Sequence, residues 1–336
     1  MRDPGESEGD REPPSSFGEW IRRAARGFSE SVALRSSIPP PEPSPDPASI
    51  LRRARRLRFR VPAAALDDLS GAYLGARSGR GLIFSELKPY EPGDDVRHID
   101  WNVTARQDRP YVRRFVEERA LTVRIVVDVS VRMRFGPPGL SKADRAAQLA
   151  ALLATAAARS GDLVGLTLFG ERIEAEFAPA RGARHVARLL RSLIVHEPDP
   201  KPAAFGDLPA RLGATTRRGL IVLVSDFRFP RTSASAWAKL ARRGRVVAFR
   251  IVEPREDALP DVGFVRVRDL ETGAIRVVDT GSAALRAEYA AAANDRRLAF
   301  RRWCAEASIE GVDVSTADDP LTPLLRIFQR EDRRRR

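Results

Sequence analysis

Only one cysteine, Cys304, and three histidines occur in these 336 residues. A lone cysteine excludes an internal disulfide and suits a reducing compartment, so we expect the cytoplasm. Cys304, in "RRWCAEA", is expected to pack in the core. His98, His185 and His196 stand far apart in the chain, and none of G-x-S-x-G, H-E-x-x-H or C-x-x-C occurs. With no nucleophile–base pair in view, the sequence argues against an enzyme. No apolar run approaches the roughly 18 residues that span a bilayer, and the opening residues do not read as a signal peptide. Lysine is scarce as well. Of 58 basic residues only Lys88, Lys142, Lys201 and Lys239 are not arginine.

What is present is arginine, and a formal net charge of +13. Such a surplus suggests an acidic partner, nucleic acid among them. The arginines are, however, spread along the chain and interleaved with Asp and Glu, and GC-rich coding produces the same skew. Nucleic-acid association is therefore kept as the alternative reading.

Residues 1–48 are rich in Pro, Ser, Glu and Asp and end in "SIPPPEPSPDPAS", a composition that does not bury enough surface to fold alone. We expect a disordered tail there. Within it Phe17, Trp20, Ile21, Ala24, Phe28 and Val32 recur at helical spacing, which predicts a short helix over 17–32. Docking on a partner, lying on a membrane surface and folding back on the protein's own body all fit that helix. Residues 49–120 form a second region, 121–330 a third, and 331–336 a basic tail.

The third region alternates in the α/β manner. "LTVRIVVD", "DLVGLTLFG", "GLIVLVSDF" and "RVVAFRIVEP" read as buried strands, and "RIEAEFAP" as a short edge strand. Helices are expected at "SKADRAAQLAALLATAAAR", "GARHVARLLRSLI", "FGDLPARLGATT" and "SASAWAKLARR". A hairpin is expected around Thr272-Gly273, then a long helix from Ala283, the strand "EGVDVST" and a last helix from Leu321. Near-continuous apolar strands separated by helices predict a doubly wound, mostly parallel sheet, whose sites lie at the carboxyl ends of its strands. Asp128 and Asp226 both fall there, with Ser130 and Ser225 beside them. Oxygens so placed suit a hard cation such as Mg²⁺, or simply cap the next helix.

Upstream, "RSGRGLIFSELKPYEPGDDVRHIDWNVTARQDRPYVRRFVEER" (77–119) packs acids among Arg97, Arg106, Arg113 and Arg114 around Tyr90, Trp101 and Tyr111. It reads as a charged, cross-linked loop scaffold. The Lys-Ser/Thr of a P-loop is missing. This stretch, followed at once by a strand ending in Asp-x-Ser, resembles the bacterial domain-of-unknown-function 58 family over roughly residues 50–330. The long core from Gly93 to Arg106 carries the resemblance. It implies a von Willebrand factor A-like fold and a non-enzymatic protein-interaction module, an adaptor or partner of a MoxR-type AAA+ ATPase. Arg97, Asp100, Trp101, Arg106 and Arg113 are its candidate partner-binding residues.

The resemblance also implies a metal-ion-dependent adhesion site built from D-x-S-x-S, a Thr on a second loop and an Asp on a third. Asp128 and Ser130 match the first motif and Asp226 the last. Arg132 stands in place of the second Ser, and Gly206 in place of the Thr. The expectation is a degenerate site with no cofactor and Mg²⁺ disfavoured. A guanidinium offers no lone pair and forks onto carboxylates, so Arg132 is expected to neutralise Asp128 and Asp226 as a tethered cation; the other reading has it swing to solvent.

Overall fold

The computed structural model describes residues 67–73, 83–92, 96, 99–106, 109–116, 120–197, 206–215, 219–228 and 234–335. The tail, its helix over 17–32 and the stretch 49–66 lie outside the described residues.

From Thr122 onward the chain alternates strand and helix as its apolar runs predict. Strands β3 (Thr122–Asp128), β4 (Leu163–Phe169), β5 (Ile173–Ala180), β6 (Gly219–Ser225), β7 (Arg245–Val252) and β10 (Glu310–Ser315) form one sheet in the order β10-β7-β6-β3-β4-β5. All pairs are parallel except β4 with the edge strand β5. Numbered from β3, this is the doubly wound order 3-2-1-4-5-6. The fold is the expected doubly wound α/β, with a mostly parallel sheet.

Side chains alternate across the sheet with a period of two. Val123, Ile125 and Val127 of β3, with Leu220, Val222 and Val224 of β6, pack on one face. Helices α1 (Lys142–Arg159), α2 (Ala183–Val195) and α6 (Leu321–Arg335) cover that face through Leu149, Leu189 and Ile327. Val126, Ile221 and Leu223 point to the other face, under α3 (Leu208–Thr215), α4 (Ala234–Ala241) and α5 (Ala283–Glu306), which supply Leu212, Trp237 and Phe300. Cys304 is buried there, and a Cβ on Gly311 would stand 2.6 Å from its sulfur, so glycine is required for α5 to lie this close to β10. Burial pushes the Cys304 thiol up to about 12, which makes it an inert packing group.

Two departures from the sequence reading follow from pairing that apolar pattern does not reveal. The signature stretch is not only loop: β1 (Ile83–Pro89) and β2 (Tyr111–Val116) form an antiparallel pair with a bulge between Phe84 and Glu86. Charged residues in "YVRRFV" mask the strand pattern. The basic run at 331–335 is no separate tail either, since α6 continues to Arg335. The predicted hairpin is present as β8 (Phe264–Arg268) and β9 (Ile275–Asp279).

Residues ahead of the sheet also belong to the core. In the helical stretch 67–73, Leu69 and Tyr73 are buried. The Tyr73 hydroxyl donates to Asp162 at 2.6 Å, its ring meets Phe328 edge-on at 5.2 Å, and Asp162 also accepts from the Leu121 amide at 2.7 Å. Tyr73→Phe should cost about 1 kcal/mol of stability for the lost hydrogen bond, and Tyr73→Ala about 3–5 kcal/mol for the emptied site. Urea unfolding measures both. Equal, small effects would mean that 67–73 is not part of the cooperative unit.

Candidate functional site

The strand order reverses between β3 and β6, and this crevice is where doubly wound sheets place their sites. Asp128 ends β3 and Asp226 follows β6, so both carboxylates stand at its mouth, and both are buried. Short-range geometry fixes each one. Asp128 Oδ1 accepts from the Ser130 amide at 2.9 Å and Oδ2 from the Ser225 hydroxyl at 2.6 Å. The Arg228 amide donates to Asp226 Oδ1 at 3.1 Å, and the Phe227 amide to Ser225 Oγ at 3.0 Å. Phe227 holds a left-handed backbone with φ of 53°, a conformation that costs a bulky residue roughly 1–2 kcal/mol. Its ring packs against Phe300 at 4.8 Å and Trp303 at 5.6 Å, which holds the turn and so aims Asp226.

The tethered cation is Lys142. Its ammonium, fully buried at the start of α1, donates to Asp226 Oδ2 and to Glu256 Oε1, each at 2.8 Å. Glu256 arrives on the 3₁₀ turn Pro254–Glu256 after β7 and also meets Arg228 at 3.4 Å. Sequence reasoning missed both residues. Lys142 sits inside a capping box, Ser141 to Asp144, and reads there as an ordinary surface lysine. The signal available was its rarity in a chain that otherwise uses arginine.

Arg132 meets the expectation in part. It is buried and its charge acts on both aspartates, but its guanidinium donates to the Arg228 carbonyl at 2.6 Å and lies 3.9 Å from Asp226 and 3.4 Å from Glu271 in the β8–β9 turn, so Lys142 is the nearer cation. Gly206 is exposed, with a positive φ and nothing within 4 Å of where a Cβ would stand, while Asp128, Ser130 and Asp226 are buried. It does not substitute for a ligand in this crevice. Ser130 Oγ is buried without a hydrogen-bond partner, beside a cavity of about 40 Å³ lined by Asp128, Ser130, Asp144 and His196.

Of the candidate partner-binding residues, Arg97 and the side chain of Arg113 lie outside the described residues. Trp101 is 69% exposed and Arg106 is exposed. Asp100 is not a surface contact; it is buried and caps the turn Trp101–Thr104, accepting from the Asn102 and Val103 amides at 3.1 and 3.2 Å.

The charges are unequal in their effects. Burial would raise Asp226, but Lys142, Arg132 and Arg228 outweigh it and hold the carboxyl well below its ordinary range. Burial likewise opposes Glu256, and Lys142 and Arg228 win there too. Asp128 has no such partner. Burial, then the nearby Asp226, push it up to about 6, against the pull of the Ser225 hydroxyl and the more distant Arg132. A hard divalent ion wants about six oxygens at roughly 2.1 Å. Here an ion would have to displace the Lys142 ammonium from Asp226, and the buried Ser130 hydroxyl is the donor left over. The donor set does not fit such an ion. Among the described residues no group of three or more His, Cys, Asp or Glu side chains is arranged to hold a metal.

Residues 86–299 match the family model described as "Protein of unknown function DUF58". This chain belongs to that family. A relative in Mycobacterium tuberculosis (strain ATCC 25618 / H37Rv), the uncharacterized protein Rv1480, is 32% identical over 286 residues, which cover 84% of this chain and 89% of the relative. Among solved structures, an aerotolerance-related membrane protein from Bacteroides fragilis NCTC 9343 aligns with 64% of this chain and 100% of its own, at 17% identity and a TM-score of 0.43. The SpRpn10 VWA domain aligns with 62% of this chain and 94% of its own, at 14% identity and a TM-score of 0.33. At these values the likeness adds nothing to what the strand order establishes. No helix among the described residues is long and apolar enough to cross a membrane.

The raised Asp128 has a consequence for stability. A carboxyl whose folded value exceeds its unfolded one favours the folded state below both values, and that contribution is lost as pH rises through the folded value. Asp128 should therefore cost the native protein stability progressively between pH of about 4 and 6, by no more than about 3 kcal/mol in total. Asp128→Asn keeps the acceptor for the Ser130 amide and has no charge to bury. Relative to the native protein it should gain stability over that interval and hold the gain to pH 7, as read by urea unfolding at several pH values. A difference between the two proteins that does not change with pH would show that Asp128 ionises normally.

Proposed function

We propose that this DUF58 chain is a non-enzymatic protein-interaction module and the adaptor or partner of a MoxR-type AAA+ ATPase, with an adhesion-type metal site that has degenerated into an internal ion-pair cluster. The observation that carries this reading is Lys142. An ammonium held between Asp226 and Glu256 supplies in covalent, permanent form the positive charge that a cation would bring. The Asp-x-Ser and third-loop Asp remain as the crevice's frame. They hold β3, β6 and the start of α1 together and leave no acid–base pair poised on an open pocket.

The signature region supports the interaction half of the reading. Its described part is a strand pair that displays Trp101 and Val96, 69% and 58% exposed, beside the exposed Arg106. Exposed aromatics and arginines are the residues that anchor protein interfaces. A partner ATPase of this class sets the working compartment as the cytoplasm. The basic surplus does not favour nucleic acid over this reading, because Arg124, Arg245 and Arg250 are engaged internally with Glu176, Glu310 and Asp313.

Two measurements test the proposal. The full chain, mixed with a MoxR-type ATPase from the same organism, should co-elute in size exclusion, and Trp101→Ala or Arg106→Glu should lower the retained ATPase at least tenfold without changing the melting temperature. An ATPase that elutes alone sinks the partner assignment. Separately, Mg²⁺ or Mn²⁺ should leave the native melting temperature unmoved and give no heat in calorimetry. Lys142→Ala removes the nearest cation from two buried carboxylates and leaves them to Arg132 and Arg228, which costs up to about 3–5 kcal/mol in chelator, and added Mg²⁺ should restore part of it by binding the folded state. A native protein that gains several degrees with Mg²⁺ has a working metal site.

A further inference from the structure

The β8–β9 hairpin rises from the same carboxyl edge of the sheet as the ion-pair cluster, between β7 and α5. Its two faces differ. Val267 and Val278 turn inward onto Leu285 and the buried Tyr289 of α5. The outward face carries cross-strand pairs Arg266 with Val277 and Arg268 with Ile275, with Phe264 at the end of the ladder. Phe264 is 76% exposed and Val277 51%, and Val262 just before the strand is 62% exposed. Arg266 and Arg268 are exposed and form no ion pair among the described residues. Large apolar side chains gathered on one open face of a two-stranded sheet are costly to leave in water unless something covers them.

We infer that this outward face is a docking surface for an acidic segment of a partner protein, one that seats apolar side chains on Phe264, Val277 and Val262 and pairs carboxylates with Arg266 and Arg268. The inference rests on the reading of the chain as an interaction module and names the surface and the chemistry it takes. Two observations choose the occupant. Arg266 and Arg268 are successive outward positions of β8, each with an apolar partner, Val277 or Ile275, across the ladder, so a ligand must offer carboxylates and apolar groups side by side. Acidic groups rim the face: Asp279 lies opposite Phe264, and Asp261 is exposed beside Arg286 at 3.1 Å. A polyanionic surface such as a lipid headgroup layer would meet those carboxylates head-on, whereas a single peptide segment passes between them. The face is also anchored to the cluster, because Glu271 in its turn lies 3.4 Å from Arg132.

The test uses the full chain, a display library of random 12-residue peptides and two variants, Phe264→Ser and the pair Arg266→Glu with Arg268→Glu. All three side chains are exposed, and circular dichroism checks that both variants fold. Panning on the native chain should enrich peptides that combine Asp or Glu with Leu, Ile or Phe. Fluorescence anisotropy should then show at least a tenfold loss of affinity on each variant, and repanning on the charge-reversed chain should select Lys and Arg instead. Peptides that bind native and variant chains equally overturn the inference, as does enrichment of no acidic sequence. Co-sedimentation with vesicles of phosphatidylserine and phosphatidylcholine is run alongside; binding that Phe264→Ser abolishes would assign the face to a membrane and overturn it too. The ATPase co-elution separates the two readings. If the ATPase is retained by the native chain and equally by both variants, and no peptide depends on the face, the hairpin inference fails and the module reading stands. If the ATPase is never retained while the peptides behave as expected, the ATPase assignment fails and the hairpin inference stands.

Discussion

Everything at the carboxyl edge of the sheet is organised around one buried ammonium. Lys142 begins α1, where the helix dipole presents its positive end, so the helix itself opposes a cation there. Full burial opposes it again. Two carboxylates at 2.8 Å override both effects, and the arrangement survives because each comes from a different element: Asp226 from the end of β6, Glu256 from the turn after β7. One nitrogen thus ties α1 to two neighbouring strands. Arg228 and Arg132 extend the charge balance outward, the first to Glu256 and the second toward Glu271. Asp128 stands at the end of this chain of cations and receives an amide and a hydroxyl instead of a charge. That difference in partners, not a difference in depth, is why two buried aspartates on adjacent strands shift in opposite directions.

The layers of the fold were legible because burial on both faces forces apolar runs. "GLIVLVS" is buried at every position, and a run that short, apolar and rich in branched residues suits a strand covered on both faces. The signature strands were not legible for the converse reason. Among the described residues β1 and β2 form a two-stranded sheet of their own, with one bridge from Ile99 to Val112, so "YVRRFV" was never required to be apolar throughout. Its pairing is set by backbone bonds, by the Asp100 cap and by the amide of Tyr111 donating to Thr104 Oγ1 at 3.1 Å, none of which leaves a hydropathy signature.

The site divides the same way. Strand ends predict where Asp128, Ser130 and Asp226 converge, because a parallel sheet delivers the ends of its strands to one edge. Which cation meets them depends on side-chain reach across three loops. Arg132 stands where the motif's second Ser belongs, and motif position alone misled: its 3₁₀ turn, Val131–Arg134, carries the guanidinium past Asp128 to the Arg228 carbonyl. Gly206 was aligned by loop order alone, and a residue that stands in solvent contributes nothing to a buried crevice.

That the buried cation is one of only four lysines is itself explicable. Asp226 Oδ2 and Glu256 Oε1 both lie 2.8 Å from a single nitrogen, which an ammonium satisfies with two of its three tetrahedral donors. A guanidinium spreads its donors along the edges of a plane and answers best to a carboxylate met side-on. It would need more room than a fully buried position leaves, and it would displace either the carboxylate of Asp226 or that of Glu256 to obtain it. Elsewhere in the protein, where space is open at one end, arginine does this work: Arg250 meets Asp313 at 2.6 Å and lies 5.5 Å from the ring centre of Phe300, and Arg245 meets Glu310 at 2.9 Å. The crevice keeps lysine because only a point charge fits between two carboxylates that close.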